Sequence, residues 1–328
     1  MKKDIEYRLY RINPDRAFNC QKLDPDYKFN KPTLLCFGGN MTSGPMEANA
    51  IAKEGRYLIG AYDKIADEKG SIQDVDIISV AYGIFEPEGD EELSTRLLDE
   101  EIMQIVDNQF MPLLVDDTGC IKSLQEVKEG FGMLTIFSHC YGATAVNNLF
   151  NEIEDRMQKM GFSDTDIKDV FSQVIQLSYA PQTAPRYLPT YEIKSCQDQT
   201  IMDWYNMGKD PKAINGVMIE ESGENRVTLW SSQLANGKEE VKNEHPVGMI
   251  NRNVNWRLES KLGGELVYYG RNADAVSQIA SYVLAYSVGT SLRNVDSKIY
   301  VPKPTLKTYY NDTNDILQGF TKGELAMN

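Results

Sequence analysis

The sequence predicts an α/β fold with three layers, a mainly parallel sheet covered by helices on both faces. The first observation behind this is alternation: four short apolar runs, each followed by a segment of different period, succeed one another from Thr33 to Pro181. The second is that the intervening segments carry apolar residues at helical spacing. The third is bulk. A chain of 328 residues, 41% hydrophobic and 25% charged, has the composition of a soluble globular protein and can bury a sizeable core.

"PTLLCFGGN" reads as a buried strand ending in a glycine pair. A helix is expected next, because Ala48, Ile51, Ala52, Leu58, Ile59, Tyr62 and Ile65 recur on one face. "VDIISVAYGIF" is the second strand. The acidic loop "EPEGDEE" then enters a helix read over "LSTRLLDEEIMQIVDNQFMPLL", where carboxylates near the helix start suit its dipole. "GMLTIFS" gives the third strand, and Val146, Leu149, Phe150, Ile153 and Met157 mark one face of the helix that follows. "FSQVIQLSYAP" gives the fourth.

After Pro181 the regularity fails. Residues 182–216 contain three prolines, several aromatics and no clean period, and they read as an irregular insertion or lid over the sheet. "GVMIEESGENRVTLWSS" reads as two short strands about a turn. Ala275, Ile279, Tyr282, Val283 and Tyr286 define a late helix, and residues 301–328 read as a C-terminal tail. The whole of 1–328 is expected to form a single domain.

Charge and cysteine content narrow the function classes. The net charge of −14 argues against nucleic acid as a partner and against anionic membrane surfaces. No apolar stretch is long enough for membrane insertion, and no signal-peptide pattern opens the sequence. Five cysteines without a CxxC pair suit reduced thiols, so a cytoplasmic location is expected. No nucleotide-binding glycine motif, HExxH or cysteine–histidine cluster is present, so neither a cofactor nor a metal is expected. The oligomeric state is not legible.

The stretch with chemical content is Ser138-His139-Cys140-Tyr141-Gly142, between the third strand and its helix. A nucleophile held on so tight a turn needs small residues two before and two after it, as in the G-x-S-x-G nucleophile elbow. Ser138 stands where the first glycine would be, and Cys140 stands where the nucleophilic serine would be. On this motif and the element order from Thr33 to Pro181, the chain resembles the α/β-hydrolase family, including its dienelactone-hydrolase-like members with a cysteine nucleophile. A thiolate at Cys140 would gain from the N-terminus of the helix beginning near Tyr141. Cys20, Cys36, Cys120 and Cys196 read as small buried apolar residues.

The resemblance implies an oxyanion site made by the backbone N–H of Tyr141 and by Gly39 or Asn40, in the glycine loop after the first strand. It also implies a histidine late in the chain. Of the two histidines, His139 is expected to project away from Cys140, which leaves His245 as the base. The group orienting it stays open among Glu221, Glu239, Glu240 and Gln182, with Glu244 badly placed next to His245. The implied activity is a hydrolase or acyltransferase acting on a small-molecule acyl substrate or a peptide. The alternative is a non-catalytic relative that binds a partner through the same surface.

Overall fold

A computed structural model of the protein describes residues 8–12, 20–39, 45–60, 74–82, 100–195, 217–222, 225–231, 275–297 and 299–321. Among them nine strands form one sheet: β1 (Arg8–Ile12), β2 (Cys20–Lys22), β3 (Thr33–Phe37), β4 (Asp76–Ala81), β5 (Leu134–His139), β6 (Ile175–Tyr179), β7 (Thr190–Ser195), β8 (Val217–Glu221) and β9 (Arg226–Ser231). Their order across the sheet is β2-β1-β4-β3-β5-β6-β7-β9-β8. The six strands from β4 to β9 in that order pair in parallel, while β1, β2 and β8 are antiparallel to their neighbours. The fold is therefore α/β with a mostly parallel sheet.

Helices lie on each face. α1 (Pro45–Gly60) is followed by a helical run over residues 100–114, termed α2, and by α3 (Leu124–Gly132) and α4 (Gly142–Lys159). α5 (Asp164–Phe171), α6 (Ala275–Ser297) and α7 (Leu306–Thr321) complete the set. Because successive strand residues point to opposite faces, Leu34 and Cys36 join one apolar core with residues of α1, α6 and α7. Leu35 and Phe37 join the other, with residues of α2, α3, α4 and α5. The expected faces are the buried ones: Val146, Leu149, Phe150, Ile153 and Met157 of α4 are all buried, as are Ile51, Ala52, Leu58 and Ile59 of α1. Tyr62 and Ile65 lie outside the described residues.

Three expectations need correction. The helix read as continuous up to Leu114 widens to a π-helical turn at Val106–Phe110 and resumes at Met111. Pro112 explains the break, since it has no N–H to donate and its ring would meet the carbonyl four residues earlier. Within 182–216, read as an insertion, Thr190–Ser195 is β7, a strand between β6 and β9. Within 301–328, read as a tail, Leu306–Thr321 is a helix. Lys303 fastens its start to β5 by donating to the Leu134 carbonyl and, at 2.8 Å, to Thr135 Oγ1. Burial holds the Lys303 ammonium well below its usual range. Among the described residues no helix is long and apolar enough to cross a membrane.

α3 and α5 each begin with a reciprocal capping box, at Ser123 with Glu126 and at Ser163 with Asp166. The Ser163 hydroxyl accepts from the Asp166 N–H at 3.2 Å. Ser163→Ala should lower unfolding free energy by about 1 kcal/mol. Urea denaturation should show a lower midpoint with an unchanged slope, and an unmoved midpoint would contradict the cap.

Candidate functional site

β5 carries Thr135 to His139, all buried, to the C-terminal edge of the sheet, and there the chain reverses into α4. The reversal is made at Cys140, whose φ of 54° lies in the left-handed region that side-chain-bearing residues rarely adopt. Three hydrogen bonds hold it. The Cys140 N–H donates to the Tyr179 carbonyl at the end of β6, at 2.9 Å. The Cys140 carbonyl accepts from Ala143 N–H at 3.2 Å and from Gln182 N–H at 3.1 Å. A strained residue persists only where its surroundings over-determine it, and such residues cluster at functional sites.

The flanking small residues have separate physical reasons. At Gly142 a β-carbon would stand 2.3 Å from the Phe37 carbonyl oxygen and 2.7 Å from that of Gly38, so the end of β3 leaves no room for a side chain. Ser138 fits where the elbow pattern has glycine because its hydroxyl is absorbed into a buried polar chain. It accepts from Gln176 Nε2 at 2.8 Å and donates to Ser178 Oγ at 2.8 Å, both on neighbouring β6.

The glycine loop after β3 lies on the elbow. A β-carbon at Gly39 would be 3.1 Å from Cys140 Cβ, 3.5 Å from Cys140 Sγ and 3.4 Å from His139 Nδ1. The structure thus brings Gly39, Cys140 and Tyr141 to one edge of the sheet, while Asn40 and His245 lie outside the described residues. The His139 imidazole is buried, its Nδ1 3.4 Å from where a β-carbon at Gly39 would stand.

Candidates for the orienting group separate in space. Glu221 pairs with Val227 near the start of β9, at the sheet edge opposite Cys140, and its Oε1 is 2.7 Å from Lys307 Nζ. It cannot serve this site. Gln182 lies beside the elbow: its N–H donates to the Cys140 carbonyl, and its buried Oε1 makes no hydrogen bond among the described residues. The segment after it is tied to α4 by Asn147 Nδ2, which donates to the Ala184 carbonyl at 2.9 Å, and by Tyr187, which donates to Asn151 Oδ1 at 2.6 Å. Glu239, Glu240 and Glu244 lie outside the described residues.

Sequence reasoning missed Tyr82, just after β4, which donates from its hydroxyl to the Gly38 carbonyl. Burial raises its pKa well above the ordinary phenol value, and Cys140, Tyr141 and Glu101 push in the same direction. No sequence signal marks it, since its role arises from a contact between strands distant in the chain. Of the other cysteines, Cys36 is buried and burial pushes its thiol up, Cys20 is half-buried, and Cys120 is exposed rather than buried as expected. Cys196 lies outside the described residues. Among the described residues no three His, Cys, Asp or Glu side chains gather as a metal site.

If the elbow depends on contact with β3, Gly142→Ala should destabilise the protein by on the order of 3 kcal/mol, as overpacking against backbone does. Gly130→Ala is the control, because its β-carbon would meet only the Leu113 side chain, at 3.3 Å from Cδ2, and no backbone. Thermal unfolding that moves equally in the two variants would contradict the contact.

Comparison of the chain with protein-family models and with curated proteins finds no match.

Proposed function

We propose that the chain is a cofactor-free hydrolase or acyltransferase acting on an ester, thioester, lactone or amide, with Cys140 as nucleophile and His245 as base. The observation that carries this reading is the conformation of Cys140. A non-glycine residue is held at φ 54° between a buried parallel strand and a helix, against the glycine loop of the neighbouring strand. Ala180, at the end of neighbouring β6, holds φ 43° without a reactive group, so it is the combination of this conformation with the elbow sequence and the facing glycine loop that points to a nucleophile at Cys140.

In the proposed reaction Cys140 Sγ attacks the acyl carbon while His245 takes the thiol proton. The carbonyl electron pair moves to oxygen, and the oxyanion accepts from the N–H groups of Tyr141 and Gly39 or Asn40. Collapse expels the alcohol, thiol or amine, which takes the proton from His245. Water, giving its proton to His245, or another acceptor then attacks the thioester and releases Cys140. Gln182 is our choice to orient the imidazole, as a neutral amide. A non-catalytic binding protein is the competing reading, and the observation on its side is that Cys140 is only 1% exposed.

Two substitutions separate these readings. Cys140→Ala should abolish hydrolysis of an activated ester such as p-nitrophenyl acetate. His245→Ala should lower kcat at least about 100-fold, within the range general-base catalysis supplies, and slow iodoacetamide alkylation of Cys140 at neutral pH. Equal alkylation rates in the wild type and His245→Ala would remove His245 from the mechanism. A slowed rate in His139→Asn alone would instead make His139 the partner of the thiol.

A further inference from the structure

Cys140 is 1% exposed, so a small molecule reaches its sulfur only after a neighbouring segment moves. The chain after β6 has the construction for such a movement. Ala180 closes β6 at φ 43°, buried and in the left-handed region. Its N–H still donates to the Ile193 carbonyl of β7, at 2.9 Å. In a regular strand the residue two further on would face the same neighbour. The Gln182 N–H instead donates to the Cys140 carbonyl, on the β5 side, at 3.1 Å. Ala180 thus turns the chain back onto the elbow.

Residues 183–187 make no backbone–backbone hydrogen bond among the described residues. Side chains of α4 hold them instead. Thr144, Asn147 and Asn151, three and four residues apart, share one face of that helix. The Thr144 and Thr183 hydroxyls are 3.1 Å apart. Tyr187 donates to Asn151 Oδ1 at 2.6 Å, and its ring meets that of Phe171 in α5 edge-on, centroids 6.3 Å apart. Between these two ties stands Asn147, which uses both ends of its amide. Its Nδ2 donates to the Ala184 carbonyl at 2.9 Å and to Thr183 Oγ1 at 3.3 Å, while its Oδ1 accepts from the Arg186 N–H at 3.1 Å. Residues 182–186 therefore run between a fixed turn at Ala180 and an anchored ring at Tyr187, and one side chain makes most of the bonds between. A segment tied by side chains, with no ladder of its own, opens at a lower free energy than the sheet beside it.

We propose that residues 182–186 form a flap on the turn at Cys140, latched shut by the Asn147 amide, and that releasing this latch admits small molecules to the thiol. The burial of Cys140 then belongs to the closed flap. The inference goes beyond the reaction proposed above and does not need it, because it concerns access to the sulfur whatever chemistry follows.

The test follows iodoacetamide alkylation of the full-length protein by mass spectrometry of the peptides carrying Cys140 and Cys36. Cys36 is fully buried in β3 and reports opening of the whole sheet. Asn147→Ala should speed alkylation of Cys140 by about 10-fold or more, the scale expected for two or three lost hydrogen bonds, while Cys36 stays unlabelled. Thr183→Ala removes one partner of the latch and leaves α4 untouched, and it should speed alkylation by about threefold. An unchanged Cys140 rate in Asn147→Ala, with Cys36 protected, would overturn the flap. Equal labelling of Cys140 and Cys36 in both variants would overturn it too, by showing that these bonds stabilise the whole fold and gate nothing. Neither result reads ester hydrolysis, so the proposed reaction stands or falls separately.

Discussion

The architecture of the site depends on the contact of Gly142 with the end of β3. β3 and β5 are adjacent and parallel, with Phe37 opposite Ser138, so both reach the same edge of the sheet together. The chain leaving β5 must turn at once to start α4, and the carbonyls of Phe37 and Gly38 occupy the space a side chain at Gly142 would need. Glycine there lets the helix begin against β3, and the left-handed conformation of Cys140 closes the turn. Moving α4 outward by the width of a methyl group would separate Gly39 from Cys140. The proposed chemistry is thus a consequence of strand order and one missing β-carbon.

Around that contact, backbone and side chains of four strands fix the turn. β6 supplies the Tyr179 carbonyl that receives the Cys140 N–H and the Gln176 and Ser178 side chains that hold Ser138. β4 leads to Tyr82, which holds Gly38. Such a polar chain is tolerable in the interior only when its members are satisfied, and here it links strands rather than burdening one of them. A site built this way draws its rigidity from the sheet, which suits a reaction that needs donors placed before charge develops.

Much of this was legible in the sequence, and the reasons for the gaps are physical. β3, β4, β5 and β6 announce themselves because parallel strands are buried on both faces and read as apolar runs. The turn at Cys140 is legible because a tight strand-to-helix reversal restricts residue size. β7 was hidden by Pro185 and Pro189 before it and by the charges of Glu192 and Lys194 within it. Those charges look like surface, yet both residues are buried, Lys194 Nζ lying 2.7 Å from Glu192 Oε2, which also accepts from Thr228 Oγ1 at 3.1 Å. α3 and α5 carry capping signals, "SLQE" and "SDTD", legible at their starts. β1 and β2 are short strands at one edge and offer little pattern. Tyr82 and the exclusion of Glu221 were beyond any local reading, since each follows from which strands are neighbours and in what register.

The central claim is that Cys140 forms a covalent acyl intermediate. Its most direct measurement is rapid acid quenching of the protein during turnover of p-nitrophenyl acetate, followed by mass spectrometry of the intact chain and its peptides. The account predicts one acetyl group, carried on the peptide containing Cys140, formed within the first turnover and absent in Cys140→Ala. Ester hydrolysis at an enzymatic rate with no acetyl group on Cys140 at any time would contradict it.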